Sequence, residues 1–325
     1  MIILQILLLA AGFVALVKGA DWFVSGSSDI ARRFRVPTLM IGLTIVALGT
    51  SAPELAVSVS AALQGANEIA LSNIVGSNIF NLLGVLGICA IIHPLPVDRA
   101  VLRRDFPFTV AATVLVLGFT WGAALLKGQP ALAPMEQTVG TIARWQGLVL
   151  LLLFAGYMGY LIRTARKHKD DNAEPAKKTV AQAVGLIVLG LALVIGGGQA
   201  VVHSARELAR AAGMTETLIG LTVVAVGTSL PELVTSAVAA KKGETDMTIG
   251  NAVGSNTFNI LMILGLSALI HPITVNMASV VDLALLLGIS AVAFAFSFTS
   301  RRVGRAEGVA MVLLYVADVV FAILR

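Results

Sequence analysis

Charge is scarce in this sequence. Only 13% of its 325 residues are Asp, Glu, Lys or Arg, about half the roughly 25% usual in soluble domains. There is a single cysteine, Cys89; it rules out a disulfide scaffold and reads as a small apolar residue within a membrane span. Long alternating apolar/polar stretches are also missing, which argues against a transmembrane β-barrel. What is abundant is apolar surface. Hydrophobic residues make up 57% of the chain and the mean hydropathy is +0.91. A soluble protein of this size could not hide so much, so the solvent is lipid. Disorder is excluded by the same composition. The net charge of +5 and pI near 9.6 then speak of membrane orientation rather than of nucleic acid.

Stretches long enough to cross a bilayer, roughly 17–25 residues each, fall near 2–20, 38–64, 69–92, 106–126, 146–163, 179–202, 215–240, 247–270, 281–299 and 306–324. Ten spans give an all-α polytopic membrane protein. The first reads as a span rather than a signal peptide, because no basic residue precedes it and Lys18 lies at its far end. The most polar segment, 166–178, is a charged linker between a first half, 1–165, and a second, 179–325. Each half holds five spans. Connections after odd-numbered spans carry 18 of the 23 Lys and Arg residues. The positive-inside rule puts these connections and the linker in the cytoplasm and both termini outside it.

The two halves share a sequence. Residues 42–87 and 220–265 align without a gap at an offset of 178, and 25 of the 46 positions are identical. Because five is odd, the second copy enters the membrane from the opposite side. This is an inverted-topology repeat, an architecture that lets one central site open to two sides in turn. Packing alone would preserve small and apolar residues. Here the identities include Thr, Ser, Pro, Glu and Asn within the spans.

The chemistry lies in these identities. Ala47, Thr50, Ser51 and Glu54 fall at i, i+3, i+4 and i+7, one stripe of a helix, and Ala225, Thr228, Ser229 and Glu232 repeat it. Pro53 and Pro231 predict a break, which would free backbone carbonyls at membrane depth. Glu54 and Glu232 are the acids deepest in apolar sequence, where a charge costs about 2.5–3.5 kcal/mol on insertion scales. A bland account makes Ser51-x-x-Glu54 and Ser229-x-x-Glu232 capping boxes, yet Gln would cap without that cost. Ser77 with Asn81, and Ser255 with Asn259, share a helix face in the next span. Asn78 and Asn256 are as readily explained as interhelical glue. The inventory is carboxylates, hydroxyls, amides and carbonyls, with no Cys/His cluster to suggest zinc or copper. All-oxygen sites suit hard cations, and calcium tolerates 6–8 flexible oxygen ligands. Two carboxylates balance one divalent ion or several sodium ions.

The segments GLTIVALGTSAPE with GSNIFN, and GLTVVAVGTSLPE with GSNTFN, resemble the paired repeats of the calcium/cation antiporter superfamily, close to its bacterial and archaeal sodium/calcium exchangers. The resemblance covers essentially the whole chain. It implies a secondary antiporter of the prokaryotic inner membrane, not an enzyme, that exchanges sodium for calcium by alternating access. It carries no cofactor beyond the transported ions. By the same resemblance Glu54 and Glu232 bind both ions. Thr50, Thr228 and the Ala47 and Ala225 carbonyls supply ligands; Ser51, Ser77, Ser229 and Ser255 complete sodium sites; Asn81 and Asn259 line the middle. The first and sixth spans would slide across a rigid core. Asn259 departs from the potassium-dependent branch, which has Asp there, and the GTS-x-P-E pattern departs from the proton-coupled branch. Proton/calcium antiport is the alternative within the family. A cation channel and an intramembrane enzyme are the alternatives outside it. Oligomeric state, a monomer included, is left open.

Overall fold

A computed structural model describes residues 2–65, 67–126, 133–167, 175–214 and 225–324. In order these form α1 (Ile2–Phe34), α2 (Thr38–Thr50), α3 (Ala52–Leu63), α4 (Ala70–Ile92), β1 (Leu95–Pro96) and α5 (Val101–Gly122). Next come β2 (Thr138–Ile142), α6 (Arg144–Lys167), α7 (Val180–Ala211), α8 (Leu230–Lys241) and α9 (Thr245–Ile270). Then follow β3 (Ile273–Asn276), α10 (Met277–Ser300), β4 (Arg302–Val303) and α11 (Arg305–Leu324). Among the described residues eight helices are long and apolar enough to cross a bilayer, and α2 with α3, bent by 49°, is long and apolar enough as a pair. The span expected over 215–240 lies partly outside the described residues, which resume with a short turn at Ala225–Gly227 ahead of α8. Much of the linker, 168–174, lies outside them too. Lys18, expected in a connection, is inside α1, which runs on to Phe34.

The punctuation is local. Thr179 and Gln182 form a reciprocal capping box that starts α7. The Asn276 side chain accepts from Ser279 N–H at 2.9 Å and starts α10. Gly65 after α3 and Gly243 after α8 take φ of +74° and +79°, the left-handed turn that glycine adopts without strain. These two positions are 178 apart, so the copies turn back in the same way. The chain is all-α in class, as expected, and among the described residues it has four short strands besides. Two antiparallel strand pairs close the bundle, β1 with β4 and β2 with β3. β1 and β3 follow equivalent helices of the two copies, so each copy lends a strand to a connection of the other half.

The bundle has three layers. At the centre, α4 and α9 are mostly buried, 83% and 78% of each span. Around them, α11 packs on α4 at Gly87 and Gly308, and α6 packs on α9 at Gly265 and Gly147. A methyl at any of these four glycines would sit 2.6–3.0 Å from the opposite glycine's carbonyl oxygen. To one side lie α1 and α7, only 17% and 22% buried. Their contact runs Gly12 to Gly197, Gly19 to Gly190 and Gly26 to Ala183. As one number rises the other falls, so α1 and α7 are antiparallel. Their outer faces expose Ile3, Leu7 and Val14, and Val188 and Leu189, as lipid-facing helices do.

Candidate functional site

The prolines act as the sequence predicts, and the serines beside them do not cap. Pro53 and Pro231 sit in the first turns of α3 and α8, and both helices start afresh at a serine, Ser51 and Ser229. Neither serine side chain caps its own helix, so the capping-box account fails. Each reaches across to the other copy instead. Ser51 Oγ donates to Glu232 Oε1 at 2.8 Å, and Ser229 Oγ donates to Glu54 Oε1, also at 2.8 Å. Ser77 Oγ adds a donor to Glu54 Oε1 at 3.3 Å and lies 3.1 Å from Ser229 Oγ. Both glutamates are fully buried, each in the first turn of a helix whose N-terminal dipole favours negative charge.

Further candidate ligands on α4 and α9 are amides. Asn81 and Asn259 are fully buried, and each lies in a widened, π-helical turn, Asn81–Val85 in α4 and Phe258–Ile263 in α9. Such turns recur where a helix must present a side chain out of register. Asn81 Nδ2 donates to Asn256 Oδ1 at 3.1 Å, and Asn259 Nδ2 donates to Asn78 Oδ1 at 3.0 Å. These two contacts are counterparts at an offset of 178.

The threonines and carbonyls are less symmetric. Thr50 Oγ1 lies 3.1 Å from both Val46 O and Asn251 Oδ1, whereas the buried Thr228 hydroxyl has no partner among the described residues. The Ala47 carbonyl, expected to be freed, accepts Ser51 N–H at 3.1 Å and has Thr50 Oγ1 at 3.5 Å. In the second copy Ser229 N–H turns to Val226 O at 3.2 Å, next to Ala225. Ser255 is buried and its hydroxyl has no partner among the described residues. The structure thus joins Glu54, Glu232, Ser51, Ser229 and Ser77 in one cluster, and Asn81 and Asn259 in a second. It leaves Thr228 and Ser255 with hydroxyls to spare.

Sequence reasoning misses some residues. Asn251 Nδ2 donates to Ser236 Oγ at 2.9 Å and so ties Thr50 to α8. Asn73 Nδ2 to Ser58 Oγ, 3.1 Å, is its repeat-related twin. All four are identities between the copies, which is the signal that could have found them.

Burying these oxygens without partners costs free energy. Glu54 Oε2, Glu232 Oε2, Asn81 Oδ1 and Asn259 Oδ1 are all buried and lack a hydrogen-bond partner among the described residues. An orphaned buried acceptor costs about 1–3 kcal/mol, more when charged. They fall into two repeat-related pairs, and each is an oxygen acceptor of the kind a desolvated cation would satisfy.

The model of the sodium/calcium exchanger protein family matches residues 4–163 and 182–324 of this chain. The chain belongs to that family. Its two matched segments fall either side of the charged linker. Among the family's proteins, the sodium/calcium exchanger MaX1 of Methanosarcina acetivorans is 32% identical over 345 aligned positions, covering 98% of this chain and 99% of that one. The inner membrane protein YrbG of Escherichia coli is 35% identical over 275 positions, covering 82% and 79%. Of the solved structures, the sodium-calcium exchanger NCX_Mj soaked with 10 mM Na+ and zero Ca2+ superimposes with a TM-score of 0.82 at 31% identity, covering 98% and 99% of the two chains.

Proposed function

We propose that this chain is a secondary antiporter that exchanges sodium for calcium at the centre formed by Glu54 and Glu232. The observation that carries the reading is the set of four buried, partnerless acceptor oxygens, two carboxylate and two amide. Their chemistry fits hard cations. Two carboxylates match one calcium ion in charge. When calcium leaves, sodium ions take its place on those oxygens, while the Ser51 and Ser229 hydroxyls hold the Oε1 atoms. Thr50, Thr228, Ser77, Ser255 and the Ala47 and Ala225 carbonyls complete the ligand set. Asn81 and Asn259, being neutral, add no charge that would call for potassium or a proton. Membership of the exchanger family and the full-length likeness to MaX1 and NCX_Mj support the choice of ions.

The architecture that suits this chemistry is ten spans in two inverted halves, 1–165 and 179–325, joined by a cytoplasmic linker. The antiparallel α1 and α7, the exchanged serine and asparagine bonds and the exchanged strands all support it. The protein would sit in the prokaryotic inner membrane with both termini outside the cytoplasm. A single cysteine replacing Asn172 should react with an impermeant maleimide only from the cytoplasmic side, because native Cys89 is buried. Labelling in intact cells would invert the topology.

The function is tested with purified protein in liposomes. Calcium uptake should require an outward sodium gradient and should not change when potassium is added. Uptake should fall as pH is lowered, since protonating either glutamate removes charge that attracts calcium. Robust uptake in sodium-free buffer under a pH gradient alone would make the protein a proton/calcium antiporter instead.

A further inference from the structure

We infer that Asn78 and Asn256 are positioning residues. They orient the Asn259 and Asn81 amides so that oxygen, not nitrogen, is turned to the ions. The inference rests on the reading of the Glu54–Glu232 centre as a cation site.

A side-chain amide has two ends of nearly equal shape and opposite use: an oxygen that accepts and an NH2 that donates. Beside a cation the oxygen is a ligand and the NH2 is repelled. Something has to decide which end faces inward, and here the backbone does. Asn78 Nδ2 lies 3.4 Å from the Asn256 carbonyl oxygen, and Asn256 Nδ2 lies 3.2 Å from the Asn78 carbonyl oxygen. A carbonyl only accepts, so both residues must turn their NH2 groups toward it. Their Oδ1 atoms are then fixed on the other side. There Asn78 Oδ1 meets the Asn259 amide at 3.0 Å, and Asn256 Oδ1 meets the Asn81 amide at 3.1 Å. An oxygen at that point accepts only, so Asn259 and Asn81 must offer NH2. Their own Oδ1 atoms are thereby turned away from the clamp, and both are buried without a partner among the described residues. Reversing any one amide would set oxygen against oxygen or NH2 against NH2.

All four side chains are at most 1% exposed, so no water competes for the choice. The carbonyl-to-amide-to-amide relay runs in both directions between α4 and α9, and each half of the chain orients the other half's ligand. Simple glue between helices would need only the bonds. A relay that begins at two backbone acceptors and ends at two free oxygens also sets a direction.

The test is a double-mutant cycle, which separates orientation from adhesion. In Asn78→Ala the Asn259 amide loses the acceptor that holds its NH2 and is free to rotate. In Asn259→Asp there is nothing to orient, since both ends of a carboxylate are oxygen, and removing Asn78, whose Oδ1 would face one of them, takes away a repulsion and not a bond. Calcium affinity is measured by calorimetry on the full-length protein in nanodiscs. Asn78→Ala should weaken calcium binding about tenfold or more when residue 259 is Asn, as loss of a ligand-orienting partner does. The same change in the Asn259→Asp background should cost no more than about twofold. Equal weakening in both backgrounds would make Asn78 mere adhesion, and no weakening in either would overturn the inference as surely. The mirror cycle, Asn256→Ala with Asn81→Asp, reads the other half and decides the matter if Asn78→Ala fails to fold. Failure of the unaltered protein to bind calcium would instead remove the cation site itself, and the orienting role with it.

Discussion

Two pairs of facing helices, one at the centre and one at the side, are held together by opposite means. The central pair, α4 and α9, is joined by four asparagine hydrogen bonds. Hydrogen bonds have direction and fixed partners, so they set one register. The outer pair, α1 and α7, meets through Gly12, Gly19, Gly190 and Gly197, whose Cα atoms lie against the facing backbone. Such contacts give close van der Waals packing with little directional preference. The α4–α9 pair has most of its surface inside the protein; the α1–α7 pair shows most of its surface to lipid. The pinned centre holds the proposed ion ligands, and a smooth pair lies beside it. That is the division of labour an alternating-access device needs.

The largest expected effect tests the centre. Glu54→Gln and Glu232→Gln should each abolish sodium-dependent calcium flux, because one charge cannot balance calcium where two did. The variants should still insert and fold, since the asparagine bonds are untouched and a buried charge has been removed. Flux and the thermal midpoint with and without calcium are the measurements. Normal flux in either variant would reduce the glutamates to structural residues.

A smaller effect is expected at the outer pair. Gly19 has the Gly190 carbonyl oxygen and Leu193 Cβ each 2.7 Å from where its Cβ would be. Gly19→Leu overfills that contact, at a cost of about 1–3 kcal/mol if the helices spread to accept it. Exchange should slow severalfold while calcium affinity in detergent stays near that of the unaltered protein. A loss of affinity equal to the loss of rate would show that α1 and α7 shape the site and do not merely move beside it.

Much of this division is legible in the sequence. The 178-residue offset marks Glu54 and Glu232, Ser51 and Ser229, and Asn81 and Asn259 as pairs, and Pro53 predicts the 49° bend between α2 and α3. What is not legible is who bonds to whom. Ser51 followed by Glu54 reads locally as a cap, and only the close approach of the second copy diverts the hydroxyl to Glu232. The π-helical turns at Asn81 and Asn259 leave no trace in composition, because they depend on how the next turn packs. The strand pairs escape a sequence reading for a similar reason. β1 and β4 are two residues each, and they pair across some two hundred residues of chain. Asn251 is passed over although it is an identity between the copies, since Asn in a span is read first as glue.

The smallest expected effect concerns an ion pair that ties the outer pair to the turn between α8 and α9, beside a second one there between Arg32 of α1 and Glu244 at 3.3 Å. Lys242 follows α8 in the turn before α9, and its Nζ lies 2.7 Å from Asp21 Oδ1, 2.7 Å from Ser25 Oγ and 3.0 Å from the Asp21 carbonyl oxygen, all on α1. The position 178 residues earlier is Gln64, which donates to Ser60 Oγ within its own helix. Those equivalent to Asp21 and Ser25 are Gln199 and His203, so the copies agree in backbone and differ in charge. The tie therefore lacks a charged counterpart at the equivalent position and biases α1 toward this arrangement. Its strength is modest, because the Lys242 and Asp21 side chains remain 31% and 47% exposed, and exposed pairs are worth about 0–1 kcal/mol. Lys242→Gln should change the exchange rate by at most about fivefold. A pair this exposed is also screened by salt. Raising ionic strength with choline chloride should move the unaltered protein's rate toward that of the variant and leave the variant unchanged. If both respond equally to salt, the bias on α1 lies in something other than this lysine.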